Sequence, residues 1–232
     1  MSIAKKLTTI AENTPKVYNK GFENGKNSVV DIGKYAKTIT FSSLNVFGKA
    51  NVELNFDNLT SLANLVRLTQ GAYKNTMVEH LVINCSTQIT SMQEMLYSNG
   101  SSSDDTVLKK LTFNVDTSKC TNFVNTFMGR RGLEIIDGIP FDFSAVTNNL
   151  NGVFKTCYAL KDFRVKPSCI KVSFSIADSG DLSTDTIQSI IDGLVDLTGG
   201  TAQTLTLHAD VGAKLTDEQK ATITTKNWEL VY

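Results

Sequence analysis

Four segments of this 232-residue chain repeat one short apolar pattern. A fifth segment, earlier in the chain, matches only the second half of that pattern. Each places apolar residues on a strand-like stretch, and the equivalent positions are Leu54, Leu81, Leu111, Ile136 and Phe163. These positions are separated by 27, 30, 25 and 27 residues. Repeats of this length are typical of solenoids, in which neighbours must stack because no single unit can bury its own apolar face. We therefore predict a scaffold of stacked units that presents a surface.

The second half of each unit repeats as well. Apolar side chains lie three or four positions apart in residues 62–65, 92–96, 123–127 and 150–154. This is the spacing of a helix that packs one face against a core. Thr90 and Thr121 precede two of these segments, where a hydroxyl can accept a hydrogen bond from a free helical amide. We predict an α/β fold in which each repeat of 25–30 residues holds one short strand and one short helix, with the strands parallel.

Two of the units resemble the repeats of a known family. Residues 116–127 read DTSKCTNFVNTF, which resembles a unit of BspA-like leucine-rich repeats. Residues 143–160 read FSAVTNNLNGVFKTCYAL and resemble the longer form of that unit, with Cys157 at its cysteine position. The expected cysteine is missing from residues 128–132, and residues 98–106 depart from the pattern. The resemblance implies a leucine-rich-repeat solenoid.

The two ends of the chain resemble phage proteins. Residues 2–18 are similar to a leader of phage tail-region proteins of Firmicutes, and residues 201–232 are similar to an ending shared by such leucine-rich-repeat proteins. The resemblance implies a phage or prophage tail-associated protein used in attachment or host-surface recognition. A bacterial cell-surface adhesin of the same fold is the alternative. Because we find no apolar h-region near the N-terminus, we expect release from the cytoplasm of the producing cell into the virion or extracellular space.

Three parts are predicted along the chain: an N-terminal helical attachment or cap segment, the solenoid, and an αβ C-terminal cap, at residues 1–30, 31–175 and 176–232. Apolar residues between 3 and 17 follow coiled-coil spacing. Thr14 and Pro15 predict the start of a second helix that runs to about Gly25. Residues 2–26 either cap the solenoid, or join copies of the protein or dock it on a larger assembly.

The remaining segments carry local signals. Residues 36–47 predict a small sheet edge, and the polar residues 98–106 predict an exposed loop. Near the C-terminus, Ser183 or Thr184 predicts the cap of a helix that ends at residues 199–200. Further predicted elements are a strand at 204–208, a helix with a capping box from Thr216, and a strand at 228–232.

Composition argues against several functions. Lys plus Arg and Asp plus Glu both number 23, so no basic excess favours nucleic acid as a partner. The sequence contains no apolar run of about 18 residues, so it predicts no membrane span. The four cysteines have no pairs spaced for metal binding, so we expect them to be reduced and buried: Cys85, Cys120, Cys157 and Cys169. With two histidines and no catalytic motif, we expect a non-enzymatic protein without a cofactor or metal.

Side chains that alternate with the buried strand residues are the candidate binding residues. If Leu81 and Ile83 point inward, the outward set is Asn55, His80, Val82, Lys110, Thr112, Asp137, Asp162 and Arg164. We expect this ladder to bind a protein or a cell-surface glycan, with Arg164 as an anchor unless it only pairs with Asp137 or Asp162. A solvated face without a partner is the alternative for any one residue. A polysaccharide-processing enzyme is a further alternative, with the same two aspartates as its carboxylates.

Overall fold

The structure is a computed structural model, and it describes residues 18–19, 28–32, 48–56, 60–62, 76–98 and 107–232. It is a mixed α/β fold with two sheets. The strands of the six-stranded sheet, in spatial order, are β1 (Tyr18–Asn19), β2 (Ser28–Ile32), β3 (Gly48–Phe56), β4 (Thr76–Cys85), β5 (Lys110–Val115) and β6 (Ile135–Gly138). Only β1 is antiparallel to its neighbour, and the other strands of this sheet are parallel.

The second sheet and all the described helices lie in the C-terminal part of the chain. Its three parallel strands are β7 (Phe174–Ile176), β8 (Gln203–Leu207) and β9 (Trp228–Val231). The helices are α1 (Thr184–Gly193), α2 (Ala209–Lys214) and α3 (Asp217–Thr225). None of these helices is both long and apolar enough to cross a membrane.

The predicted strand equivalences are confirmed for three units and wrong for one. Leu81 pairs with Leu111, which pairs with Ile136. Leu54 is buried as predicted but pairs with Ile83, two residues beyond the predicted Leu81. A shift of two residues keeps the same side chains on the buried face, so alternation alone cannot fix the register. An irregularity between Ala50 and Asn51 contributes to the offset.

The predicted repeat helices are wrong where the structure describes them. Each segment instead forms turns, and one residue at the same place has a positive φ: 53° at Glu94, 54° at Asn125 and 67° at Gly152. A left-handed residue ends helical hydrogen bonding. The freed amides donate to the next unit instead, from Glu94 N to Val124 O at 2.9 Å and from Asn125 N to Asn151 O at 3.0 Å.

Phenylalanine rings fill the space between the sheet and the turns. Each ring has at least one other ring with its centroid 4.7 to 6.2 Å away, and the set is Phe113, Phe123, Phe127, Phe141, Phe143, Phe154, Phe163 and Phe174. The Phe143 and Phe154 rings both contact Phe174 of β7. The apolar core therefore continues from the repeated units into the C-terminal sheet.

All four cysteines are buried, and none of them forms a disulfide among the described residues. The Cys157 thiol donates to Phe127 O at 3.1 Å, and burial raises its pKa to about 12. In the preceding unit the equivalent position is Arg130. Its buried guanidinium donates to the main-chain carbonyls of Leu96 and Tyr97. The longer side chain thus reaches the carbonyls of the previous turn.

Most of the C-terminal helices and strands agree with those predicted from the sequence. Ser183 caps α1 as predicted, and Thr216 and Gln219 form the predicted capping box of α3. Strands β8 and β9 cover most of their predicted ranges. However, α1 ends at Gly193, before residues 199–200, because Leu194 is extended and bridges to Ile170. The short helix α2 was not predicted.

Within the predicted N-terminal segment of residues 1–30, the structure describes only strand residues. Tyr18–Asn19 and the first residues of β2 are strands, since β2 pairs with β3 and contains the β-branched pair Val29 and Val30. The other residues of that segment, residues 36–47, and the predicted loop from 99 to 106 lie outside the described residues. Ser98, which starts that loop, is buried. The predicted boundary at residue 175 falls inside β7.

Two glycines with positive φ allow a matched stability test. A Cβ at Gly138 (φ +103°) would lie 2.4 Å from Phe113 O, whereas one at Gly199 (φ +81°) would meet nothing within 4 Å. We expect Gly199→Ala to lower the free energy of unfolding by about 1 kcal/mol from backbone strain alone. Gly138→Ala should cost about 3 kcal/mol, because steric overlap adds to that strain. Urea denaturation measures both, and equal costs would contradict the close contact between β5 and β6.

Candidate functional site

The outer face of β4, β5 and β6 holds most of the predicted site residues. Along β5, buried side chains alternate with half-buried ones, so Lys110 and Thr112 point away from the core. His80 pairs with Lys110, and Val82 pairs with Thr112, as the sequence predicted. Thr112 in turn pairs with Asp137. The predicted register of this part of the ladder is therefore confirmed, while its binding role stays a prediction.

Four of these side chains form one polar network. His80 Nε2 lies 2.8 Å from Thr112 Oγ1, and Lys110 Nζ lies 2.7 Å from Asp137 Oδ2. Partial burial raises the pKa of Asp137, but hydrogen bonds from Lys110 and Thr112 outweigh it, so the pKa lies below its usual range. Burial and the Lys110 charge lower the pKa of His80. The network therefore favours an ionised Asp137 beside a neutral His80.

Asn55 belongs to a different column from the one predicted. Because of the register of β3, Glu53 pairs with Val82, and Asn55 pairs with Asn84. Asn84 Nδ2 donates to Asn55 Oδ1 at 2.7 Å, and Asn114 Nδ2 donates to Asn84 Oδ1 at 2.8 Å. Stacked amides of this kind stabilise parallel strands. The recurrence of asparagine at 55, 84 and 114 was the signal that could have revealed this row.

Three predicted residues meet in a cleft at the β6 end of the outer face. Asp137, Asp162 and Arg164 line an opening of about 330 Å³. Its other walls are Ile135, Ile136, Gly138, Ile139, Phe141 and Phe163. Ile135 and Ile139 are 36% and 48% exposed, so the cleft has an apolar rim as well as charged groups. A mixed lining of this kind is typical of ligand sites, which span about 300–1,000 Å³.

The cleft forms because β6 and the next segment separate and then rejoin. Ile136 N donates to Asp162 O at 2.7 Å, and the next bond along runs from Phe141 N to Arg164 O at 2.9 Å. Residues 137–140 therefore face a single residue, Phe163, on the other side. Such unequal spacing bends the longer strand away from its partner.

The first turn of α1 and its cap contact Arg164 and Asp162, which line the cleft. The alternative in which Arg164 pairs with Asp137 or Asp162 is wrong, because its guanidinium lies 3.1 Å from Asp185 Oδ2 and also donates to Thr186 Oγ1. Ser183 Oγ donates to Asp162 Oδ1 at 2.5 Å. The sequence indicated Ser183 only as a helix cap, and nothing in it indicated that α1 would lie against the last repeated unit.

No protein-family model matches this chain, and no curated protein or solved structure matches it either. The resemblance to BspA-like repeats therefore stays a prediction based on the motif residues. Within the described ranges, no group of three or more His, Cys, Asp and Glu side chains could hold a metal ion.

The low pKa of Asp137 predicts a contribution to acid sensitivity. A carboxyl whose pKa is lowered by folding stabilises the protein above the ordinary pKa of about 3.9, and this contribution is lost as the pH falls through the folded pKa. The free energy of unfolding of the parent should therefore fall more steeply than that of Asp137→Asn below about pH 4. Urea denaturation at a series of pH values measures this, with Asp192→Asn on α1 as the control for removing one carboxylate. Parallel curves for the parent and Asp137→Asn would contradict the prediction.

Proposed function

We propose that this chain is a non-enzymatic binding protein that presents the outer face of its six-stranded sheet to a partner. The scaffold in this proposal is a BspA-like leucine-rich-repeat solenoid. Its support is the order of β2 to β6, where sequence neighbours are also sheet neighbours, and the hydrogen bonds between successive turns. The observation that carries the proposal is the meeting of Asp137, Asp162 and Arg164 in one cleft.

The proposed setting is the tail of a phage or prophage, where the protein serves attachment or recognition of a host surface. The similarity of residues 2–18 and 201–232 to phage proteins supports this setting over a bacterial cell-surface adhesin. The partner is a protein or a cell-surface glycan, and the equal numbers of basic and acidic residues disfavour nucleic acid. Mass spectrometry of purified phage particles and of washed producing cells separates the two settings.

The cleft is better suited to binding than to hydrolysis. Asp137 and Asp162 share it, and cleavage of a glycosidic bond uses two carboxyl groups. A general acid for that reaction needs a raised pKa, whereas the pKa of Asp137 is lowered. The Asp137 carboxylate is therefore suited to accepting hydrogen bonds and not to donating a proton.

Arg164 provides the first test of the proposed surface. Arg164→Ala should weaken binding to the host surface by about 30-fold, which corresponds to about 2 kcal/mol for an interface anchor. Its effect on stability should stay below about 1 kcal/mol, because the side chains of Arg164 and Asp185 are 43% and 79% exposed. Titration of labelled protein onto host cells measures the affinity.

Arg131→Ala is the matched control for that test. Arg131 is also an exposed arginine, but it lies over the Tyr158 ring, at 5.8 Å from its centroid, and does not line the cleft. If both variants bind as tightly as the parent, the outer face is not the recognition surface, and residues 98–106 become the next candidate.

Self-association or docking through residues 2–26 is a second part of the proposal. Deleting residues 2–17 keeps β1, so the hydrogen bonds between β1 and β2 are preserved. We expect the deletion to lower the mass of the particle in solution, or to abolish incorporation into phage particles. Light scattering measures the mass, and far-ultraviolet circular dichroism checks that the fold is kept. An unchanged mass and unchanged incorporation would favour a simple cap.

A further inference from the structure

Two main-chain hydrogen bonds of a regular parallel ladder are missing at the cleft. Asp162 N donates to Glu134 O, and Ile136 N donates to Asp162 O. A regular ladder would continue with Arg164 N to Ile136 O and then Gly138 N to Arg164 O. Neither bond is present between these described residues, and Phe141 N donates to the Arg164 carbonyl in place of Gly138 N. The gap leaves main-chain N–H donors and a C=O acceptor at the wall of the cleft.

Most of the charged side chains around the gap already have an ion-pair partner within the protein. Lys110 holds Asp137, and Arg164 is held by Asp185. Asp162 has Ser183 as its hydrogen-bond partner and no ion pair among the described residues, so one carboxylate oxygen remains for a ligand. The three carboxylates outnumber the two cations, so a further anion would be repelled.

We propose that this cleft binds a neutral sugar unit through its hydroxyl groups. This rests on the proposed binding function and names the chemistry of the ligand. Every sugar hydroxyl can both donate and accept, so adjacent hydroxyls can satisfy the Gly138 and Arg164 N–H groups together with the Ile136 carbonyl and the Asp162 carboxylate. The exposed side chains of Ile135 and Ile139 offer an apolar surface for the C–H face of the ring.

Charged ligands fit the same groups less well. An ammonium group only donates hydrogen bonds, so it would leave the two main-chain N–H groups without a partner. A carboxylate or phosphate only accepts, so it would leave the Asp162 oxygen and the Ile136 carbonyl unused and add a negative charge. The volume of about 330 Å³ suits a small ligand, such as one unit of a longer glycan.

The test is an NMR titration of the ¹⁵N-labelled full chain with glucose, galactose and N-acetylglucosamine. We expect at least one of them to shift the amide signals of Gly138 and Arg164, with a Kd on the order of 1 mM for so small a ligand. Glucuronic acid is the anionic counterpart and should bind more weakly, because the net negative charge of the cleft repels it. Absence of both amide shifts with all the neutral sugars, or tighter binding of glucuronic acid, would overturn the proposal.

Substitution of Asp162 tests whether the sugar contacts its carboxylate. Asp162→Asn should weaken sugar binding about tenfold, because hydrogen bonds to charged groups are stronger than neutral ones. Asp192→Asn removes an exposed carboxylate of α1 outside the cleft and should bind as the parent does. Equal affinity for parent and Asp162→Asn would also overturn the proposal, and the NMR spectrum of each variant shows whether it is folded.

The outcomes separate this inference from the proposed function. If Arg164→Ala loses binding to the host surface while no sugar shifts the two amides, the binding function stands and the sugar site is wrong. If a sugar shifts both amides while surface binding is independent of Arg164, the sugar site stands and the Arg164 side chain is not an anchor for the host surface.

Discussion

Main-chain hydrogen bonds between consecutive units are the interaction on which the rest of the fold depends. They join the strands β2 to β6, and they also join the turns, for example from Leu96 N to Thr126 O at 2.8 Å and from Phe127 N to Val153 O at 2.9 Å. Strands in such a ladder lie about 4.8 Å apart, so side chains at equivalent positions become neighbours. The phenylalanine contacts inside and the asparagine row outside both follow from this spacing. The Phe127 and Phe154 rings, for example, stack at 5.4 Å.

Main-chain pairing between units stops at the segment around Phe163. There, helix α1 offers side-chain hydroxyl groups as hydrogen-bond partners in place of another strand. Phe163 N donates to Thr186 Oγ1 at 3.2 Å, and Val165 N donates to Ser189 Oγ at 2.8 Å. A buried main-chain amide needs a partner, and these side chains provide it. Because two single hydroxyls replace a continuous strand, the segment around Phe163 can turn away from β6.

The sequence predicted what depends on local pattern and missed what depends on contacts between distant segments. Alternation located the buried residues of β4 and β5, and the Ser183 cap was readable because capping uses residues next to each other. Glu94 gave no warning of a left-handed turn, since glutamate has no preference for positive φ. The true partner of Arg164 was hidden because Asp185 lies on a helix beyond the repeats. Alternation also could not separate two registers of β3, which bury the same face.

Gly138 connects the outer row, the end of β6 and the cleft. Its positive φ ends the regular strand, and its missing side chain leaves room for Phe113 O and for Asn114 Oδ1, each within 3 Å of where a Cβ would lie. Asn114 is the last member of the asparagine row, so any larger residue at 138 would displace that amide as well as the main chain of β5. The bend after Gly138 then separates residues 137–140 from Phe163. The same residue therefore ends the side-chain row and opens the cleft that Asp137 and Asp162 line.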